Sequence, residues 1–241
     1  MTQLSAPLGL VASPDLSRYR FWPRLGVFVV ACLVFFLVPV PGVLFVPKEM
    51  QAYLIIALTS GVSGLVLLAL FVSQYRSYSG ARLRGEHIST PLKAGALRVI
   101  AAYALCGIAI AVLGLPREVF MVELLANLTT WQTLIKIASI IVFAPLAEEL
   151  FVRHYMLRLF PYENSRTWQV VAIIVTSTVF AALHFQYGNI TTLALIFAVG
   201  CVFAIARIAS GGLLVPLLLH ALAEVVALTM DWTYSVAGLY G

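Results

Sequence analysis

The chain has 241 residues, of which 62% are hydrophobic and 10% are charged, and its formal net charge is +5 at pH 7. This composition excludes a water-soluble globular protein and indicates an integral membrane protein. The positive charge does not indicate nucleic-acid binding, because the basic residues concentrate at the ends of apolar runs, where they set the orientation of membrane helices.

Long apolar runs predict an all-α fold, a bundle of about seven transmembrane helices. One spanning helix needs about 20 mostly apolar residues, and the alternating pattern of a membrane β-barrel is absent. We therefore expect residues 1–241 to form a single integral membrane domain. The predicted spans cover residues 25–46, 51–72 and 98–115, a stretch that starts near residue 133, and residues 168–186, 190–208 and 213–230.

The N-terminal part of the chain predicts an uncleaved first span. Residues 1–23 are mixed and polar, and the apolar run that follows lacks a small-residue cleavage site, so a signal peptide is not expected. Pro39 and Pro41 should break the outer end of this span. In the second span, Gly61 and Gly64 should allow another helix to approach closely.

Basic residues predict the orientation. The most basic stretch lies between the second and third spans, at residues 74–98, and it should be cytoplasmic. With seven spans, the N terminus is then cytoplasmic as well, and we expect a multi-pass protein of a bacterial-type plasma membrane. The basic residues of this stretch include Arg76, Arg82, Arg84, Lys93 and Arg98.

The fourth span carries charges in the middle of an apolar run. Residues 116–131, just before it, suit a short helix at the membrane interface. Pro145 should kink the span just before its charges. Ionisable groups at membrane depth are costly and indicate a functional site, although a buried ion pair that only fixes helix packing is the alternative. The ionisable residues of this stretch are Glu148, Glu149, Arg153 and His154.

Two later spans add ionisable groups at the same depth. The fifth contains Phe180 and, one turn later, His184, and the seventh contains His220 and Glu224. A single histidine would be explained by packing, but ionisable groups on three helices indicate a shared site. We expect residues 130–230 to form the catalytic core.

Helical spacing separates the two adjacent glutamates. Glu149 and Arg153 are four residues apart with the acid first, which is the favourable order for an ion pair within one helix. Glu148 points about 100° away, so it should face a cavity. We therefore predict a structural ion pair between Glu149 and Arg153, and a free carboxylate at Glu148.

These residue types indicate a hydrolase. A carboxylate near a neutral histidine can bind and deprotonate a water molecule. A serine or cysteine nucleophile is less attractive, because no Gly-x-Ser-x-Gly motif occurs and Cys32, Cys106 and Cys201 are not next to these histidines in sequence. No cofactor is expected. Zinc stays an alternative because Glu148, His184, His220 and Glu224 have side chains that can bind it, although the chain has no His-Glu-x-x-His motif.

The order Glu148-Glu-x-x-x-Arg153, Phe180-x-x-x-His184 and then His220 resembles the intramembrane CAAX protease and bacteriocin-processing family. The resemblance implies that Glu148 and His184 activate the attacking water and that His220 helps to stabilise the oxyanion. In the family an asparagine four residues later shares that last role. This chain has Glu224 at that position, and two roles for it remain open. An ionised carboxylate could orient His220, or a protonated one could donate a hydrogen bond to the oxyanion.

The sequence thus predicts an intramembrane glutamic endopeptidase that cleaves a peptide or membrane-protein substrate within the lipid bilayer. The resemblance includes members that act as immunity or scaffold proteins, so a nonproteolytic membrane protein is one alternative. A proton-coupled transporter that uses the same buried acids is another. A transporter would more readily show paired halves with interrupted helices, and the sequence has none.

Overall fold

Helices make up the fold of the described residues, 19–238, in a computed structural model that has no β-strand over this range. The all-α prediction is confirmed. The polar residues 1–18, and with them the predicted cytoplasmic N terminus, lie outside the described residues. In the N-terminal half the α-helices are α1 (Phe21–Leu37), α2 (Val40–Phe45), α3 (Lys48–Ile56), α4 (Val62–Tyr75), α5 (Ser79–Arg84) and α6 (Ser89–Leu113).

The C-terminal half holds five further α-helices and a long π-helical segment. The α-helices are α7 (Val119–Leu124), α8 (Thr130–Glu148), α9 (Arg166–Ala182), α10 (Ile190–Ser210) and α11 (Leu214–Ala237). The π-helical segment, Glu149–Met156, continues α8 without a break, and a 3₁₀ turn, Leu157–Leu159, follows it. A second π-helical segment, Ala57–Gly61, joins α3 to α4.

Helix lengths are those of a multi-pass membrane protein. Within the described residues, five helical stretches are long and apolar enough to cross a membrane, and α9 is apolar but shorter. The count of seven spans stays a prediction. The five stretches are Phe21–Phe45, Lys48–Arg84, Ser89–Leu113, Ile190–Ser210 and Leu214–Ala237.

Local sequence explains several helix boundaries. The first span breaks after Leu37, beside Pro39, as predicted. At the start of α8, Thr129 and Gln132 form a reciprocal capping box, in which each side chain accepts a hydrogen bond from the backbone of the other. The third span begins earlier than predicted, at Ser89, so part of the basic stretch is helical.

The kink expected at Pro145 stays a prediction, and the helix changes type four residues later. The α-helical pattern continues through Pro145 to Glu148, and the wider π-helical turns begin at Glu149. π-Helical turns are rare and occur frequently at functional sites. The change of helix type at Glu149 was not predicted from the sequence.

The π-helical segment lies at the centre of the protein, and all eight of its residues are buried. The Phe151 ring stacks on Phe35 of α1 with centroids 4.3 Å apart, and the Tyr155 hydroxyl donates to the Leu67 carbonyl of α4 at 2.8 Å. Helix α11 packs against α8, α10 and α6, so it connects the two halves of the bundle beside this segment.

Glycines bring the helices close at the start of this segment. A Cβ atom added at Gly64 of α4 would lie 3.2 Å from the backbone nitrogen of Ala147, so the two backbones are in direct contact there. A Cβ at Gly200 of α10 would lie 3.2 Å from the Phe180 ring and 3.4 Å from the Arg153 guanidinium. Both close contacts lie beside the ionisable residues.

Candidate active site

The two adjacent glutamates differ in their exposure to solvent. Glu148, the last residue of α8, has 18% of its side chain exposed, whereas Glu149, the first π-helical residue, is completely buried. Glu148 is therefore the less buried carboxylate of the pair, although its Oε2 atom is itself shielded from solvent, has no hydrogen-bond partner and does not line the cavity described below.

The Glu149 carboxylate bridges two partners in the protein interior. Its Oε1 atom lies 3.3 Å from Nη1 of Arg153 and 2.9 Å from Nδ1 of His220. Sequence spacing predicted the contact with Arg153. The contact with His220 was missed, because it joins residues on different helices that are 71 positions apart.

Arg153 is a completely buried cation held by several groups. Its Nη2 atom donates to the Gly200 carbonyl at 3.2 Å, and its Cζ atom lies 4.2 Å from the centre of the Phe180 ring and 5.4 Å from that of Phe203. The carboxylate of Glu149, one carbonyl and two aromatic faces replace part of the water that this charge loses on burial, while its Nε and Nη1 atoms have no hydrogen-bond partner.

His220 is held in one orientation by aromatic and polar contacts. Its ring stacks on Phe203 at 5.0 Å and meets the edge of Phe180 at 5.4 Å. Its Nδ1 faces Glu149, while its Nε2 lies 3.5 Å from Oε1 of Glu224 and 3.9 Å from Oε2 of Glu148. Carboxylate oxygens therefore lie near both ring nitrogens, and His220 has acceptors for two N–H groups.

His184 lies beyond the end of α9, which finishes at Ala182, and not inside the helix as predicted. Its Nδ1 is nevertheless 2.8 Å from the Phe180 carbonyl. A carbonyl can only accept a hydrogen bond, so in the neutral form of the ring Nδ1 carries the proton and Nε2 has a free lone pair. That Nε2 atom lies 3.7 Å from Oε2 of Glu148.

Glu148 therefore faces two imidazole nitrogens at nearly equal distances, His184 Nε2 and His220 Nε2. Both distances are too long for a direct hydrogen bond, and one oxygen atom can bridge groups at such separations. This arrangement can hold a water molecule between a carboxylate and the unprotonated nitrogen of His184. All four predicted catalytic residues, Glu148, His184, His220 and Glu224, come together at this point.

A cavity of about 140 Å³ adjoins the imidazoles. Phe180, His184, His220 and Glu224 lie in its wall, which continues between α6, α10 and α11 as far as Asp231. The cavity wall is mostly apolar, and its apolar lining residues include Ile110, Leu195, Ile196, Val199, Ala227 and Met230.

The segment that joins α6 to α7 and the turn after α9 complete the cavity wall. Arg117 donates to both carboxylate oxygens of Asp231 through Nε and Nη2, and the Glu118 carboxylate accepts from the backbone nitrogens of Gly188 and Asn189 at 2.9 and 3.0 Å. Nearby, burial raises the pKa of the Tyr187 phenol, and Glu224 and Glu148 raise it further, so this cavity-lining group stays protonated at neutral pH.

The candidate metal ligands of this chain are its His, Cys, Asp and Glu side chains. Among residues 19–238, no group of three or more His, Cys, Asp or Glu side chains is arranged to hold a metal ion. The three cysteines, Cys32, Cys106 and Cys201, are unpaired, and Cys106 lies in the cavity wall.

The residues of this site fall in the part of the chain that matches a known family. A protein-family model described as Type II CAAX prenyl endopeptidase Rce1-like matches residues 130–226. The chain is also 37% identical over 165 residues to an uncharacterized 24.3 kDa protein of Escherichia coli. The aligned region covers 67% of this chain and 74% of that protein. No solved structure gives a significant match.

Proposed function

The chain belongs to the CAAX protease and bacteriocin-processing family, and on this premise we propose that it is an intramembrane endopeptidase that cleaves with a water activated by Glu148 and His184. The observation that carries this proposal is the position of the Glu148 carboxylate, which faces Nε2 of both His184 and His220. The substrate is a peptide or a membrane protein.

In the proposed first step, one water molecule donates one hydrogen to the Glu148 carboxylate and the other to Nε2 of His184. This orientation turns the lone pairs of the water oxygen toward the substrate. As the water oxygen attacks the peptide carbonyl carbon, Glu148 takes a proton from the water as general base. The π electrons of the peptide carbonyl move to the carbonyl oxygen. The proton held by Glu148 then passes to the leaving amine when the C–N bond breaks.

His220 is proposed to stabilise the oxyanion. Its Nδ1–H is fixed on Glu149, so an N–H group at Nε2 points to the side of the ring on which Glu148 lies. A donor fixed in a site shielded from water stabilises developing charge more than the same donor in bulk water. Glu224 is proposed to hold His220 in its protonated form, because Oε1 lies 3.5 Å from Nε2.

The reaction is proposed to need no cofactor. Glu148 acts as the base for water directly, so no metal is required to generate the nucleophile. We expect the purified protein to keep its activity after treatment with a strong chelator. Loss of activity that zinc alone restores would instead place Glu148, His184 and His220 in a ligand shell.

The decisive experiment compares membrane proteomes of cells that produce the wild-type protein or Glu148→Gln. A protease predicts at least one substrate whose processed form is absent with the variant, and cleavage of that substrate by the purified wild-type protein. Glu163→Gln, a change in the turn before α9, is the matched control and should retain cleavage. Identical processing in cells with the wild-type protein and in cells with Glu148→Gln would favour an immunity, scaffold or transport function.

A further inference from the structure

Four arginines lie together at one end of the bundle, each on a different element: Arg24 of α1, Arg82 of α5, Arg158 of the 3₁₀ turn and Arg207 of α10. We call them the arginine cluster. The Cζ atoms of Arg82 and Arg158 are 5.7 and 5.5 Å from the centre of the same Tyr75 ring. Arg24 reaches the same turn, because its Nη1 donates to the Arg158 carbonyl at 3.0 Å.

Arg207 joins this cluster through the last turn of α10. The charges of Arg207 and Arg158 both act on the buried Tyr162 phenol. Burial raises the pKa of this phenol more than these two cations lower it. The loop after α5 is tied to the same end of α10, since the Glu86 backbone nitrogen donates to the Ser210 carbonyl at 2.9 Å. Arg82 and Arg207 are therefore held at one end of the fold.

Arg207 is a buried cation without an anionic partner among residues 19–238. Its side chain is only 7% exposed, and its Nε atom has no hydrogen-bond partner. Within residues 19–238, none of the four arginines forms an ion pair with a carboxylate. Glu163 raises the pKa of Tyr162 but forms no ion pair with these arginines. The C-terminal end of α10 offers about half a negative charge, which cannot balance four cations.

We propose that the arginine cluster binds a phosphate group, either on the headgroup of an anionic lipid or as free phosphate. A guanidinium group presents a planar pair of donors that matches phosphate oxygens, and four cations from four elements can surround one anion. Basic residues that only orient a membrane protein can stay exposed in water. The burial of Arg207 is the feature that calls for a bound anion.

This proposal is independent of the proposed protease reaction and is tested by binding and stability. The full-length protein is reconstituted in nanodiscs of phosphatidylcholine alone or with phosphatidylglycerol, and its thermal unfolding midpoint is measured. Discs of phosphatidylcholine are also measured with inorganic phosphate against chloride at equal ionic strength. Retained phosphatidylglycerol is counted by native mass spectrometry. The variants are Arg207→Gln and, as control, Arg166→Gln, an exposed arginine that begins α9.

We expect the anion to raise the unfolding midpoint of the wild type and of Arg166→Gln, but to have little effect on Arg207→Gln. Retention should fall about tenfold in Arg207→Gln, the change expected for one lost charge-assisted hydrogen bond. Stabilisation by phosphatidylglycerol alone identifies a lipid headgroup, and equal stabilisation by inorganic phosphate identifies the free anion.

Equal anion effects in Arg207→Gln and wild type would overturn the proposal, as would the absence of any effect in wild type. If Arg207→Gln does not fold, Arg158→Gln replaces it, because that side chain is only partly buried. Anion effects in Arg158→Gln that match the wild type would then overturn the proposal.

Discussion

Single residues of the candidate site are distinguished by their partners more than by their type. Glu149 is enclosed by Arg153 and His220, whereas Glu148 faces two imidazoles across distances that one oxygen atom can bridge. A carboxylate with fixed, buried partners is costly to remove from the fold, and one with open lone pairs is available for proton transfer. Two neighbouring residues of the same type therefore have separate proposed roles.

Substitution of the two glutamates should separate stability from activity. Glu148→Gln is expected to abolish cleavage while the unfolding midpoint changes little. Glu149→Gln should lower the free energy of unfolding by about 3–5 kcal/mol, because it leaves Arg153 buried without its counter-charge. Thermal unfolding and cleavage are measured on both purified proteins. If the two variants exchange these phenotypes, the assignment is wrong.

Glu224 is proposed to act through His220, and its variants test this role. Its side chain is 26% exposed, one turn beyond His220 on α11. Both Glu224→Asn and Glu224→Gln should lower kcat and move the alkaline limb of the pH–rate profile to lower pH, because a charged acceptor for the Nε2 proton is lost. A donor role for Glu224 predicts instead retained activity with less dependence on pH. An unchanged rate and profile in Glu224→Ala would remove the residue from the site.

Helices α9, α10 and α11 meet the π-helical segment through small residues and aromatic rings. Gly200 leaves space for the Phe180 ring and for the Arg153 guanidinium, and the Phe180 carbonyl in turn fixes His184. The positions of a buried cation and of a proposed catalytic histidine therefore depend on one close helix approach.

Gly200→Ala tests this dependence at the level of the helix pair. The added Cβ would lie 3.2 Å from Phe180 and 3.3 Å from Ser177, so the neighbours must shift. We expect a loss of about 1–3 kcal/mol in the free energy of unfolding, the cost typical of overpacking, together with lower activity. Gly26→Ala is the control, since its Cβ would meet nothing within 4 Å. Equal stability and activity of the two variants would contradict this account.

Orientation in the membrane is a property of the whole molecule. Basic residues concentrate at residues 74–98, and α5 lies within that stretch. The arginine cluster is at the same end, since α5 and the end of α10 are joined through Glu86 and Ser210. We propose that this end is cytoplasmic.

Cysteine labelling of intact cells tests the orientation in a background without Cys32, Cys106 and Cys201. Tyr78→Cys and Gly80→Cys are suitable probes, because Tyr78 is 72% exposed and a Cβ at Gly80 meets nothing within 4 Å. Both should react only after the membrane is permeabilised. Val119→Cys, on the exposed surface of α7, is the control for the opposite side and should react in intact cells. The reverse pattern would invert the proposed topology.

Patterns local in sequence determined the membrane character, the all-helical fold and the Glu149–Arg153 pair, because hydrophobic run length and four-residue spacing are read directly along the chain. The ionisable residues at membrane depth also predicted that His184 and His220 lie close together, and both imidazoles face Glu148 in the structure. Only the tertiary structure decided that Glu149 holds His220, that π-helical turns start at Glu149 and that His184 lies beyond its helix. These features depend on how distant helices pack, and helical periodicity carries no information about contacts between residues 71 positions apart.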